Sequence, residues 1–124
     1  MRMDQDRAIS RELFESAVAA LKARDFAGAR ESIAEAMAMD MDAPEPHNLL
    51  GIWYEFQNDF AAARRHYRAA YALDPTYTPS CRNLERIAAY GFSPLSGEAD
   101  FGLAAGEHAA HGAKLENLAE EIAG

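Results

Sequence analysis

The chain has 124 residues and a formal net charge of −8 at pH 7. Its length and its hydrophobic content of 49% are enough for one domain with a modest core. The acidic balance disfavours nucleic acid as a partner, because such binding needs cations that neutralise phosphates. No apolar run approaches the ~20 residues that span a bilayer, the polar start Met1–Asp6 does not resemble a secretory signal, and Cys81 has no second cysteine to pair with. We therefore expect a cytoplasmic protein that does not associate with membranes.

The first part of the chain predicts two helices. Abundant alanine and scarce β-branched residues favour helix throughout. Residues 1–9 are expected to be a frayed lead-in, with helix from about Ala8. The apolar residues that follow recur with helical spacing. They are Leu13, Phe14, Ala17, Val18, Ala20 and Leu21. Arg24-Asp25-Phe26 interrupts this pattern, and Ala27–Asp40 is the second predicted helix.

The stretch 44–77 predicts a second pair of helices. Asn58-Asp59 separates them, and Asp59 is a good N-cap for the later helix. Asp74-Pro75 ends that helix, because the residue before a proline is disfavoured in the helical region. Gly51 costs about 1 kcal/mol in a helix interior relative to alanine. This cost predicts that another backbone comes close at Gly51, with Ala63 and Ala70 supplying the matching small surface.

A constant offset relates the two pairs of helices. Residues 24–27 and 58–61 both contain Asp-Phe-Ala at their end, and the same shift places Ala17 under Gly51. A further shift predicts a third helix at 78–91, with Gly91 as its stop. Glu85 falls there on the position of Gly51, where a charged side chain would block a following helix. We therefore expect a capping helix with a polar outer face. The residues of that face are Arg82, Asn83, Glu85 and Arg86.

Residues 44–77 resemble a tetratricopeptide repeat, which is a helical hairpin of about 34 residues with small and large residues at fixed places. The positions that carry the resemblance are Leu50, Gly51, Tyr54, Ala63, Tyr67, Ala70 and Pro75. The earlier stretch 10–43 resembles a more degenerate copy, with Ser16, Ala20 and Met41 at positions where the family has a large residue, an aromatic and a proline.

The resemblance implies an all-α fold in which repeats 10–43 and 44–77 and the capping helix 78–91 form a right-handed superhelical stack, within a domain at 1–91. Residues 92–124 are a Gly/Ala-rich acidic tail, and 113–123 is compatible with a short amphipathic helix. His108 and His111 have a spacing that could hold a metal on a helix, but a structural zinc site usually needs four ligands. We expect no metal site, no cofactor and no catalytic residues.

In the family, partners bind mostly to the first helix of each repeat, which lines a concave groove. Carried over position by position, the resemblance implies partner contacts from Arg11, Phe14, Val18, Leu21, Lys22, Glu45, Asn48, Ile52, Glu55, Phe56, Arg82 and Arg86. Phe14, Val18, Ile52 and Phe56 would form an apolar strip on this face. Either a partner covers this strip or the same chain does, and 113–123 is the predicted cover, in its own groove or a neighbour's.

These observations predict a non-enzymatic adaptor that binds a peptide or an amphipathic helix in its concave groove. The clamp by which some family members hold a chaperone's carboxylate is missing, because Phe14, Val18 and Leu49 stand where polar residues would be needed. Alternatives are a small acidic secretion-type chaperone that holds a client segment, and a self-associating homo-oligomer. A metal-dependent enzyme is a further, less favoured alternative.

Overall fold

The structure is a computed structural model, and it describes residues 2–90 and 99–103. Five helices occupy this part of the chain: α1 (Arg2–Lys22), α2 (Phe26–Met39), α3 (Pro44–Phe56), α4 (Phe60–Leu73) and α5 (Thr78–Tyr90). The described residues contain no strand, which confirms the predicted all-α class. None of their helices combines the length and the apolar character needed to cross a membrane.

The helices form two hairpins and a closing helix. α1 packs along α2, and α3 packs along α4. α2 also contacts α3, α4 contacts α5, and α1 touches α3 directly. Each hairpin therefore lies beside the next one in chain order, and α1, α3 and α5 are the first helices of successive units.

The two hairpins share the same turn geometry. Asp25 accepts a hydrogen bond from the backbone N–H of Gly28 at 3.0 Å, and Asp59 accepts one from Ala62 at 3.1 Å. The residue before each cap, Arg24 and Asn58, has φ = +61°. Left-handed backbone is uncommon for residues other than glycine. The turn between α1 and α2 and the turn between α3 and α4 therefore have the same backbone conformation at equivalent places.

The predicted close approach at Gly51 exists, but its partner is a side chain. A Cβ atom on Gly51 would lie 2.2 Å from the Tyr67 ring, so the nearest group is a side chain of α4 rather than the backbone that was expected. The glycine makes room for an aromatic residue of α4 that is fully buried. Ala63 and Ala70 are buried beside it, as expected.

Aromatic and cationic side chains join the hairpins to each other. The indole N–H of Trp53 donates to the backbone carbonyl of Phe26 at 2.9 Å, and the rings of Phe26 and Phe56 lie 5.2 Å apart. The guanidinium of Arg30 lies 4.7 Å above the Trp53 ring, a distance at which cation–π attraction is significant. These contacts connect α2 to α3 and fix one hairpin against the next.

Two predictions about the helix limits and faces need correction. α1 begins at Arg2 rather than near Ala8, so the expected frayed lead-in is helical. Asn83 and Arg86 do not belong to the outer face of α5, because both are buried on its inner side. The predicted helix 113–123, the stop at Gly91, and His108 and His111 lie outside the described residues.

Candidate functional site

A short piece of the tail lies against the first helices of the array. We call Ala99–Leu103 the returning segment, and the surface of α1, α3 and α5 that it covers the groove. The segment is not helical, and Ala99, Asp100 and Phe101 are each at most 5% exposed. The groove is therefore occupied by the protein's own chain.

Two buried asparagines hold the main chain of the returning segment. Asn48 of α3 and Asn83 of α5 each donate a side-chain N–H to the carbonyl of Asp100, both at 2.9 Å. The backbone N–H of Asp100 donates back to the side-chain oxygen of Asn83 at 2.8 Å. Asn83 also donates to Asn48 at 2.8 Å. This asparagine pair, Asn48 and Asn83, therefore holds both main-chain polar groups of Asp100.

Charged groups at the rim of the groove contact the side chains of the segment. The carboxylate of Asp100 accepts from Arg82 at 3.1 Å and, through its other oxygen, from the backbone N–H of Gly102 at 2.9 Å. The ammonium of Lys22 lies 5.4 Å from the centre of the Phe101 ring, which is within cation–π range. Lys22 from α1 and Arg82 from α5 thus contact successive residues of the segment.

Gly102 lies two residues after Asp100 in the returning segment, and its backbone conformation and its packing both exclude a side chain. Gly102 has φ = +85°, and a Cβ there would lie 2.0 Å from the Tyr77 hydroxyl oxygen. That hydroxyl is buried without a hydrogen-bond partner among the described residues. Burial raises the pKa of Tyr77 well above its ordinary value, with the charges of Glu45 and Asp100 adding to the effect.

A buried ion pair lies beneath the asparagine pair. Both terminal nitrogens of Arg86 donate to the two carboxylate oxygens of Glu55, at 2.8 and 2.6 Å, and Tyr67 donates its hydroxyl proton to the same carboxylate. Arg86 also donates to Asn83 at 3.3 Å. Burial would lower the pKa of Arg86, but the hydrogen bonds and charge of Glu55 outweigh it and raise that pKa. The ion pair of Arg86 and Glu55 therefore connects α5 to α3 beneath the groove.

Comparison with protein families agrees with this architecture. Residues 44–77 match the family model described as tetratricopeptide repeat. This segment is a tetratricopeptide repeat. Searches of curated proteins and of solved structures give no match. Tetratricopeptide repeats present concave surfaces and are typical of protein-interaction scaffolds rather than of enzymes, so the repeat indicates a role in protein–protein interaction.

Most of the partner residues predicted from the repeat register lie in or beneath the groove. Asn48, Lys22 and Arg82 contact the returning segment, and Glu55 and Arg86 form the ion pair beneath it. The remaining buried members share one hydrophobic cluster with Ala99 and Phe101. They are Val18, Leu21 and Ile52.

Three further predicted residues have other contacts. Phe56 packs on Phe26 between the repeat and the first hairpin. Arg11 is exposed and pairs with Glu15 of its own helix at 3.5 Å. Arg11 and Phe14 line a cleft of about 470 Å³ between α1, the end of α2 and the start of α3.

The repeat register did not reveal Asn83, Tyr77 or the returning segment. A signal for Asn83 was present, because it precedes Arg86 by one helical turn and residues at that spacing share a face. Tyr77 follows the end of the repeat's second helix, where the pattern gives no side-chain direction. Among the described residues no cluster of three metal-ligating side chains occurs.

A histidine pair lies between the two helices of the repeat. The Nδ1 atoms of His47 and His66 are 3.2 Å apart, and the ring of His66 stacks on Tyr54 at 5.2 Å. Burial lowers the pKa of both histidines, and for His66 the charges of His47, Arg30 and Arg65 lower it further. Such a pair favours neutral imidazoles in the folded protein.

Proposed function

We propose that this protein is an interaction adaptor that binds an extended peptide in the groove. The observation that carries the proposal is that Asn48 and Asn83 together bind both main-chain polar groups of one residue, the C=O and the N–H of Asp100. A buried side-chain amide without partners costs about 1–3 kcal/mol, so the groove is suited to a ligand that presents free backbone groups.

The same contacts favour an extended peptide over an amphipathic helix. In a helix the backbone N–H and C=O groups are already bonded to each other, so only the residues of a terminal turn could satisfy Asn48 and Asn83. A continuous helix laid along the groove would offer these buried amides no free backbone groups in place of the C=O and N–H of Asp100. The proposed ligand is therefore a non-helical stretch of a partner protein.

The charges around the groove favour an acidic ligand. Arg82, whose side chain is 60% exposed, and Lys22 lie at its edges, whereas the chain as a whole carries a formal charge of −8. A local positive potential on an acidic protein steers ligands of negative charge toward that site. Specific binding would then weaken as salt is added.

The proposal is tested with a displayed library of short peptides selected on the full chain. Peptides enriched on the wild-type protein should lose about tenfold or more in affinity against Asn48→Ala/Asn83→Ala, because several hydrogen bonds of about 1 kcal/mol each are removed. Gln57→Ala is the matched control, since it removes an exposed amide at the end of α3. Circular dichroism checks that each variant is folded.

The pattern of enriched peptides separates the adaptor from the alternatives. A shared sequence motif that depends on the asparagine pair supports an adaptor. Binding of unrelated unfolded sequences with no motif would instead identify a chaperone that holds client segments. Enriched peptides that bind the double variant as well as the wild-type protein would refute the groove as the binding site.

A further inference from the structure

We propose that the groove prefers partner peptides with the sequence Asp–Phe–Gly, and that the returning segment is the chain's own copy of this ligand, which a partner must displace. This inference rests on the proposed peptide-binding function. It adds to that function the chemistry of the ligand and a competitor within the same chain.

The first part of the preference is for aspartate. One carboxylate oxygen of Asp100 accepts from Arg82 and the other accepts from the backbone N–H of Gly102. The second contact spans two residues, which is a reach typical of the short Asp side chain. A glutamate could reach the guanidinium but would no longer close the turn to Gly102, so the groove distinguishes the two acids.

The second part is for an aromatic residue next to the aspartate. Phe101 is 5% exposed and belongs to the hydrophobic cluster that contains Val18 and Leu21. Lys22 lies over its ring at 5.4 Å. An aliphatic side chain could fill the apolar space but would lack the ring face that attracts the ammonium.

The third part is for glycine after the aromatic residue. Position 102 has φ = +85°, which glycine adopts without the steric cost borne by other residues. Any Cβ there would also meet the Tyr77 hydroxyl oxygen. Because these two restrictions are independent, a ligand with alanine at this position would have to change both its backbone and its packing.

The returning segment competes with such a ligand at high local concentration. Residues 91–98 connect it to α5, and a short tether gives an effective concentration on the order of 1 mM. For an intrinsic Kd of about 10 µM, the groove would be filled by the segment in about 99% of molecules, and the apparent Kd of an external peptide would rise about 100-fold. A substitution that weakens the binding of the returning segment to the groove should therefore lower the apparent Kd of an external peptide.

The test uses full-length protein and a fluorescent peptide GEADFGLA, which reproduces residues 97–104. Fluorescence anisotropy should show that this peptide binds Phe101→Ala and Gly102→Ala proteins about 10- to 100-fold more tightly than the wild-type protein. The matched control is Tyr71→Ala, which removes an exposed aromatic residue of α4 and should leave the wild-type affinity unchanged. We call Phe101→Ala and Gly102→Ala the opened variants, because the returning segment should no longer fill their groove. Peptides with alanine in place of Asp or Phe should bind the opened variants at least tenfold more weakly than GEADFGLA does.

A measurement on the wild-type protein does not depend on the folding of any variant. Hydrogen exchange of the Asp100 backbone N–H, which is bonded to Asn83, should be slow in the free protein. It should accelerate when unlabelled peptide at millimolar concentration displaces the segment. An exchange rate of the Asp100 N–H that stays unchanged at saturating peptide would overturn the proposed competition.

The outcomes separate this inference from the proposed function. Opened variants that bind library-selected peptides through Asn48 and Asn83, but do not bind GEADFGLA, would overturn the inference and leave the peptide-binding function intact. Opened variants that bind neither would refute both. A wild-type dimer in light scattering that dissociates on Phe101→Ala would show exchange of the segment between copies and overturn the assignment to an external partner.

Discussion

Replacing Arg86 with alanine should strongly destabilise the fold. The variant leaves the fully buried carboxylate of Glu55 without the guanidinium that contacts it at 2.8 and 2.6 Å. Removing one member of a buried ion pair typically costs about 3–5 kcal/mol, because the remaining charge stays out of water without compensation. A domain of this size has a free energy of unfolding of about 5–15 kcal/mol, so a large share of it should be lost.

A double-mutant cycle isolates the part that comes from the pair. Glu55→Gln preserves an acceptor for the Tyr67 hydroxyl, which donates to this position, and Arg86→Met fills the space of the guanidinium stem. The combined variant buries no unpaired charge. It should therefore lose less free energy of unfolding than the sum of the two single changes.

Urea unfolding followed by far-UV circular dichroism measures these differences. The exposed Arg68 on α4 provides the control, and Arg68→Ala should change the free energy of unfolding by less than about 0.5 kcal/mol. The reasoning fails if Arg86→Ala lowers the free energy of unfolding by less than about 1 kcal/mol. It also fails if the double variant loses as much free energy of unfolding as the two single variants together, while the slope of that free energy against urea concentration is unchanged.

Three further expectations concern the hairpins. Gly51→Ala should lower the free energy of unfolding by roughly 1–3 kcal/mol, because its Cβ would lie 2.2 Å from a buried ring; an equally stable variant in urea unfolding would contradict this. The pKa values of His47 and His66 are lowered in the folded state, so their contribution to stability is present above about pH 6.5 and lost as the pH falls. Thermal unfolding from pH 8 to 5 should show this loss, and His47→Gln/His66→Gln should reduce it. Asp25→Ala and Asp59→Ala should each cost about 1 kcal/mol in the same assay, and unequal losses would argue against equivalent caps.

The hairpin boundaries could be predicted because their signals are local. Asp59 caps α4, and Pro75 follows soon after its end, as the residue types indicate. The early start of α1 at Arg2 could not be predicted in the same way. Apolar periodicity reports burial rather than helicity, and the residues before Ile9 have no apolar stripe. Ile9 itself is 46% exposed, so the first turns of α1 bury too few apolar residues to produce a helical pattern in the sequence.

The groove was predictable only in part. Lys22, Asn48 and Arg82 followed from the repeat register, because each falls on a position of a first helix that contacts partners in the family that the chain resembles. The occupant did not, since Asn48 and Asp100 are 52 residues apart in sequence and a short non-helical segment has no periodicity. The expectation that the tail covers the groove named 113–123, which lies outside the described residues and stays a prediction; Ala99–Leu103 provides the cover that the structure describes.

The asparagine pair separates anchoring from selectivity. Asn48 and Asn83 bind the main-chain N–H and C=O of one residue, and every residue except proline carries both groups, so their contribution is nearly the same for many sequences. Discrimination falls to Arg82, Lys22 and Tyr77, which sit on three different parts of the chain. Under the proposed peptide-binding function, substitutions of these three residues should change which ligands the groove accepts while the hydrogen bonds to the main chain remain, which makes the groove a suitable starting point for engineered specificity.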